Sequence, residues 1–149
     1  MFRLFGILPV CTITLFFIGN SISYSSVEDA VQKRIGMFKS SGANIKKLSK
    51  SIRSGDISAS IELVSFHVRW SEDMLLLFPA GSEASTSNGS DASSDIWRDS
   101  KGFKKRIDQY NFSAKELREA LESKNISSIN ENFEGLVDSC KRCHKQFRN

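Results

Sequence analysis

The chain has 149 residues, 40% of them hydrophobic and 26% charged, with only two prolines. That is room for one globular, helical domain, and it excludes a chain disordered overall. The net charge of +4 falls to +3 without Arg3 of the leader, too mild to point to nucleic acid.

Residues 1–23, MFRLFGILPVCTITLFFIGNSIS, carry Arg3, an apolar run from Leu4 to Ile18 and then small polar residues. This is the layout of a secretory signal peptide, cut after Ser21 or Ser23, which leaves a single domain over 24–149. The other reading is an uncleaved anchor, since the run is near the short limit of a membrane span. Cleavage removes Cys11 and leaves Cys140 and Cys143, a pair that in an exported protein becomes a disulfide by default.

A first helix is expected over 27–52, where Val27, Val31, Ile35, Phe38, Ile45, Leu48 and Ile52 form one stripe. A second, over 56–78, starts at Asp56 as N-cap and stops before Pro79. Ile57, Ile61, Val64, Val68 and Leu75 line one side of it, and Leu63, Phe66, Trp70, Met74 and Leu77 another. A helix apolar on two sides must be buried on two sides. Residues 80–94, AGSEASTSNGSDASS, read as a flexible Ser/Gly crossover. A third helix is expected over 94–124 with a break near Asn111. The fourth, over 127–147, carries Ile129, Phe133, Leu136, Cys140, His144 and Phe147 at spacings of three and four. Four long helices with short first and last connections describe an all-α, antiparallel four-helix bundle.

The chemistry is concentrated in CKRCHKQFRN at 140–149. C-x-x-C-H is a haem-attachment motif: two thiols add to the two vinyl groups, and the following histidine reaches the iron. On a helix Cys140 and His144 are four apart and stack on one face, with Cys143 beside them. The rivals fit less well. A thioredoxin-like pair opens a helix after a strand, and no strand is in sight. Zinc needs a fourth ligand, with His67 the only other histidine, and a disulfide across two helical residues is strained.

Taken with RIGMFKSSG at 34–42, LFPAGS at 77–82 and IWRDSKGF at 96–103, the CKRCHKQFR tail resembles the class II c-type cytochromes, the cytochrome c′ family. The resemblance covers the whole mature chain. It implies a periplasmic protein with one covalent haem c, held by Cys140 and Cys143, with His144 as proximal ligand and Arg148 close to the iron on that side. It also implies a homodimer through the first two helices, to which the second stripe of the 56–78 helix would contribute; burial under the 80–94 loop is the alternative.

Within that family a methionine on the sixth position makes a low-spin electron carrier, and a bulky apolar residue leaves a five-coordinate iron that binds small gases. The family pattern puts Phe38 at that position, with Met37 one place early. The helical wheel agrees, with Phe38 near the stripe's centre and Met37 roughly 80° away. Arg34 also lies near the centre, where a charge is costly unless paired; a haem propionate is the partner expected, and snorkelling to the bundle end the alternative. His67 is read as a structural histidine, and Trp70 and Trp97 as packing.

The function expected is periplasmic electron transfer with redox partner proteins. Binding of nitric oxide or carbon monoxide at the vacant distal side is the alternative. No acid/base pair or nucleophile constellation appears, so an enzyme is not expected. Three N-x-[ST] matches, at Asn88, Asn111 and Asn125, carry no information in a bacterial chain.

Overall fold

The computed structural model describes residues 26–149; the signal peptide expected over 1–23 lies outside the described residues. Helix α1, Val27–Ser54, begins where the Ser26 side chain accepts the Asp29 N–H at 3.0 Å. It ends at Gly55, whose φ of 74° is the left-handed conformation that lets the last carbonyls find partners. Asp56 at once caps helix α2, Ile57–Asp73, by accepting from the Ala59 N–H. The chain thus reverses in two residues, which forces α1 and α2 to lie side by side.

A 3₁₀ turn, Met74–Leu77, finishes this arm ahead of Pro79. After the 78–94 connection come a single turn α3, Asp95–Arg98, and helices α4, Ser100–Glu122, and α5, Ile126–Phe147. The fold is the expected all-α, antiparallel four-helix bundle of α1, α2, α4 and α5. Leu48, Val64, Ala114, Leu117, Leu121 and Leu136 are all 0% exposed at its centre. Each buried Leu or Val stabilises by about 1.5–3 kcal/mol, so the stripes and not helix propensity hold the bundle.

Two expectations need correction. The third helix does not break at Asn111, because its amide donates to Ser71 Oγ at 2.6 Å across the α2–α4 seam and so does not compete for its own backbone. The interruption falls at Asp99, whose carboxylate accepts the Gly102 N–H at 2.9 Å and starts α4 afresh. A Cβ at Gly102 would run into that carboxylate.

Nor does the 80–94 segment hang free as a crossover. Ser82, Ser90, Ala92 and Ser93 are buried in it. The Ala84 N–H reaches the Ala92 carbonyl, and Asn88 Oδ1 accepts from the N–H groups of Ser85 and Ser90. The segment is also tied to the end of α5, through Ser93 N–H to the Phe147 carbonyl and Asn149 N–H to the Asp91 carbonyl. Small hydroxyl side chains can satisfy these buried groups locally, which composition alone reads as a linker.

Around the ring of helices, α4 packs extensively on α5 and on α2, and α1 on α2, while the α1–α5 seam is sparsely packed. In the second apolar stripe of α2 and the 3₁₀ turn after it, Trp70, Met74 and Leu77 are buried and Leu63 and Phe66 half-buried, with Trp70 and Met74 turned toward this weak side.

His67 lies fully buried between α1 and α4. Its Nε2 is 2.9 Å from Asn44 Oδ1 and its Nδ1 is 2.6 Å from the Tyr110 hydroxyl. With an amide oxygen facing it, Nε2 carries the proton, and Nδ1 accepts from Tyr110. Burial lowers the pKa of this histidine to about 4 and raises that of the Tyr110 hydroxyl.

Because the folded state resists protonating His67, the unfolded chain binds the extra proton first as pH falls. The associated stability is present above pH 6.5 and is lost as pH drops toward 4, by up to roughly 3 kcal/mol. Urea unfolding at several pH values should show this slope, and His67→Gln should flatten it; a variant slope equal to the parent's would place the titration elsewhere.

Candidate functional site

The weak α1–α5 seam opens into a cavity of about 630 Å³, walled by α1, the end of α2, α4, the 78–94 segment and α5. That is within the usual pocket range of about 300–1,000 Å³. Its surface is mostly apolar, from Ile45, Trp70, Met74, Phe78, Phe103 and Ile107 among others. Phe78, Phe103 and Phe147 form an edge-to-face chain across its floor, with centroids 4.8 and 5.2 Å apart.

All three motif residues of α5 line this cavity. Cys140 and Cys143 are free, half-buried thiols. Burial raises the pKa of Cys140, and burial followed by the neighbouring Cys140 pushes Cys143 up to about 11, with Arg106 pulling the other way. A redox C-x-x-C has the reverse property, a depressed thiolate. His144 is exposed at the open side of the cavity, and its imidazole makes no hydrogen bond to any described residue. Burial and then the Arg148 cation lower its pKa, so its neutral form keeps a lone pair to offer. His67 is absent from the cavity wall and engaged at both nitrogens, so it cannot complete a zinc site with the α5 residues.

Facing His144 from α1 is Phe38, their rings 6.1 Å apart at 68°. Phe38 is packed by Trp70 at 5.3 Å and by Phe78 at 6.4 Å. Met37 packs against the core but does not reach the cavity wall. The structure therefore brings Phe38 and not Met37 opposite the histidine, as the helical wheel requires. Trp70 and Trp97 pack as expected; the Trp97 indole N–H donates to the Pro79 carbonyl at 3.1 Å, while that of Trp70 is buried without a hydrogen-bond partner among the described residues.

Arg34 lines the cavity, 2% exposed, with its guanidinium 4.7 Å from the centroid of Phe78. It donates to the Leu77 carbonyl at 3.2 Å, to Ser82 Oγ at 2.7 Å, to the Ser82 carbonyl, and to Ser90 Oγ at 2.6 Å. The snorkelling alternative is thus not realised. Burial lowers its pKa and Glu83 raises it. Every one of the four acceptors is neutral, so a full positive charge sits inside the wall. Arg148 stands at the cavity's edge, its Nη2 2.6 Å from Asp91 Oδ2, and its backbone bridges to Ala92.

Sequence reasoning missed Ser82, Ser90 and Asp91, which hold these two arginines. Ser82 does fall in the LFPAGS stretch, but nothing periodic marks the other two. Tyr110 also lines the cavity while donating to His67.

The residues present fit a haem c: two uncharged thiols and an unpartnered imidazole on one helix face, an apolar cavity behind them, and a buried cation to meet a carboxylate. The family model for cytochrome c′ matches residues 29–148. No curated protein matches the chain by sequence.

Among solved structures, cytochrome c′ from Rubrivivax gelatinosus superposes with a TM-score of 0.75 at 20% identity, covering 85% of this chain and 100% of its own. A nitric oxide complex of a mutant cytochrome c′ from Alcaligenes xylosoxidans gives 0.74 at 21%, covering 85% and 99%. Cytochrome c′ from Thermochromatium tepidum gives 0.75 at 15%, covering 83% and 96%. Identities this low carry the fold alone. The family match, by contrast, spans all four bundle helices and not only the C-x-x-C-H tail, and on that ground the chain belongs to the cytochrome c′ family.

Proposed function

We propose that the protein is a periplasmic, single-haem electron carrier in which His144 is the one protein ligand of the iron and Phe38 covers the opposite face. The family's haem c would be held here by Cys140 and Cys143 and would supply a one-electron iron couple. The chain's own residues do the rest: α5 fixes the imidazole, the aromatic floor excludes water, and α1 closes the other side. The observation that carries the single-ligand iron of this reading is the Phe38 ring opposite His144, with Met37 outside the wall; electron carriage itself rests on the one-electron couple that the family's haem would supply. Periplasmic export rests on the leader at 1–23 and on a motif whose chemistry belongs outside the cytosol.

Arg34 supports the same reading. A buried guanidinium with only neutral acceptors is costly, and a propionate would neutralise it. Arg148, on the histidine's side, adds a cation that favours a neutral ligand. A second reading, binding of nitric oxide or carbon monoxide under Phe38, is supported by the same apolar wall and by the nitric oxide complex of a relative. A homodimer through α1 and α2 is supported by exposed Val27 of α1, by exposed Leu75 and Leu76 of the 3₁₀ turn that ends the α2 arm, and by a relative whose dimer dissociates under ligand control.

The reduced holo-protein should show the broad spectrum of a five-coordinate haem, and Phe38→Ala should raise the carbon monoxide association rate by about tenfold or more, roughly 1.4 kcal/mol of barrier. Sharp low-spin bands with a thioether-to-iron charge-transfer feature would instead put Met37 on the iron. Arg34→Ala should lower the haem reduction potential, since it removes a cation that favours the more negative, reduced site; an unchanged potential counts against the propionate pairing. Sedimentation at micromolar concentration should give twice the chain mass, and Leu76→Glu should return it to one.

A further inference from the structure

Basic charge in this bundle is concentrated on α1 and on two stretches of α4 and α5. Over 101–113 and 138–148 there are eight lysines and arginines against two acids, a net of +6, and α1 carries seven against two, a net of +5. The described chain as a whole is only +3, so everything outside these stretches is net −8. The two basic stretches meet at the cavity: Lys39 and Lys46 of α1 line it from one side, and Arg106 and Arg148 from the other. Asp91, the acid there, is taken up by Arg148. Even with two haem propionates added, the excess at this opening stays positive.

Beside the opening, on the outer α4–α5 seam, lies a shallow groove of about 510 Å³ lined by Lys105, Arg106, Asp108, Gln109, Phe112 and Arg142 among others; Asp108 is taken up by Lys104 at 2.8 Å, and Arg142 meets Asp138 at 3.3 Å. Phe112 is 63% exposed in it, one of the large apolar side chains the bundle leaves in water. Arg106 belongs to both the groove and the cavity wall, and its charge is felt at Cys143. An aromatic anchor inside a mainly cationic rim that shares Arg106 with the cavity of the haem-attachment thiols has the anatomy of a protein-docking surface.

We infer that this face is the docking surface for an acidic redox partner protein, with Phe112 as the apolar anchor and Lys39, Lys46, Lys105, Arg106 and Arg142 as the charged rim. The inference rests on the electron-carrier reading above. The sorted charge steers an acidic partner to the opening and sets the approach rate, and the groove sets the register. The haem that Cys140 and Cys143 would hold would supply one electron, passing from the ferrous to the ferric state as the partner is reduced by one electron; no proton or atom is transferred. A groove with one protruding ring suits a protein's side chain better than the broad apolar face that a lipid surface requires.

Stopped-flow oxidation of the reduced holo-protein tests this with three oxidants: hexacyanoferrate(III), tris(phenanthroline)cobalt(III) and an acidic plastocyanin. Between about 10 and 200 mM NaCl the rate with the first and third should fall and with the cationic complex rise. Lys105→Glu with Arg142→Glu should slow hexacyanoferrate(III) and plastocyanin about tenfold, while Lys124→Glu at the other end of α4 should change them less than about twofold. Phe112→Ser should slow plastocyanin alone. Fast exchange that ignores the paired charge reversal overturns the docking surface and leaves the electron-carrier reading standing. Failure to exchange with any oxidant, in protein that still binds haem covalently, overturns both. Sedimentation with phosphatidylglycerol vesicles that is lost on charge reversal, with plastocyanin rates unmoved, gives the face to a membrane and overturns the partner.

Discussion

The site depends on a seam that the polypeptide does not fill. At about 24 cal/mol per Å³ of residual apolar cavity, a dry void of 630 Å³ would cost roughly 15 kcal/mol, the whole stability of an ordinary domain. Water relieves part of that cost through the open side, but only against a mostly apolar wall. A bundle that spends Trp70, Met74, Phe78, Phe103 and Ile107 on such a wall is built around a large apolar cofactor. The family's haem is in this sense the missing core of the α1–α5 seam, and two thioethers to the α5 cysteines would make that core permanent.

The wall is kept in shape by a strap and two arginines. The 78–94 segment runs along the cavity between α1 and α5, and each end of its span is fastened by a cation. Arg34 gathers Leu77, Ser82 and Ser90 from the α1 side, and Arg148 holds Asp91 from the α5 side. Backbone hydrogen bonds from Ser93 and Asn149 close the α5 end. Arg34 therefore has two roles that share one charge. It anchors the strap through neutral acceptors, and the charge left over by those acceptors faces the cavity. Its loss would be felt in the strap as well as in the charge of the cavity wall.

Much of this was legible in the sequence, and the reason is periodicity. The i, i+4 relation of Cys140 and His144, the α1 stripe and the Asp56 cap are local patterns, and local patterns survive folding. The parts that were not legible depend on partners distant in sequence. Asn111 looked like a helix breaker until Ser71, forty residues away, took its amide. Ser82 and Ser90 looked like linker composition until Arg34 reached them. Trp70 and Met74 signalled a second buried face on α2 without saying that a cofactor cavity, in place of another helix, would supply much of the burial.

The same logic explains why one position on α1 matters more than its neighbour. A helix advances 100° per residue, so two adjacent side chains cannot share a face. With Arg34 turned inward to hold the strap, Phe38 four residues on must point inward too, and Met37 is carried away from the cavity. Edge-to-face contacts with Trp70 and Phe78 then lock the Phe38 ring across from His144. To exchange the two, α1 would have to rotate by a quarter turn or more. That rotation would pull Arg34 out of its four hydrogen bonds and expose Val31 and Leu48 from the core. Which side chain of α1 faces His144 is thus coupled to the packing of the entire first helix, and not to the identity of residue 38 alone.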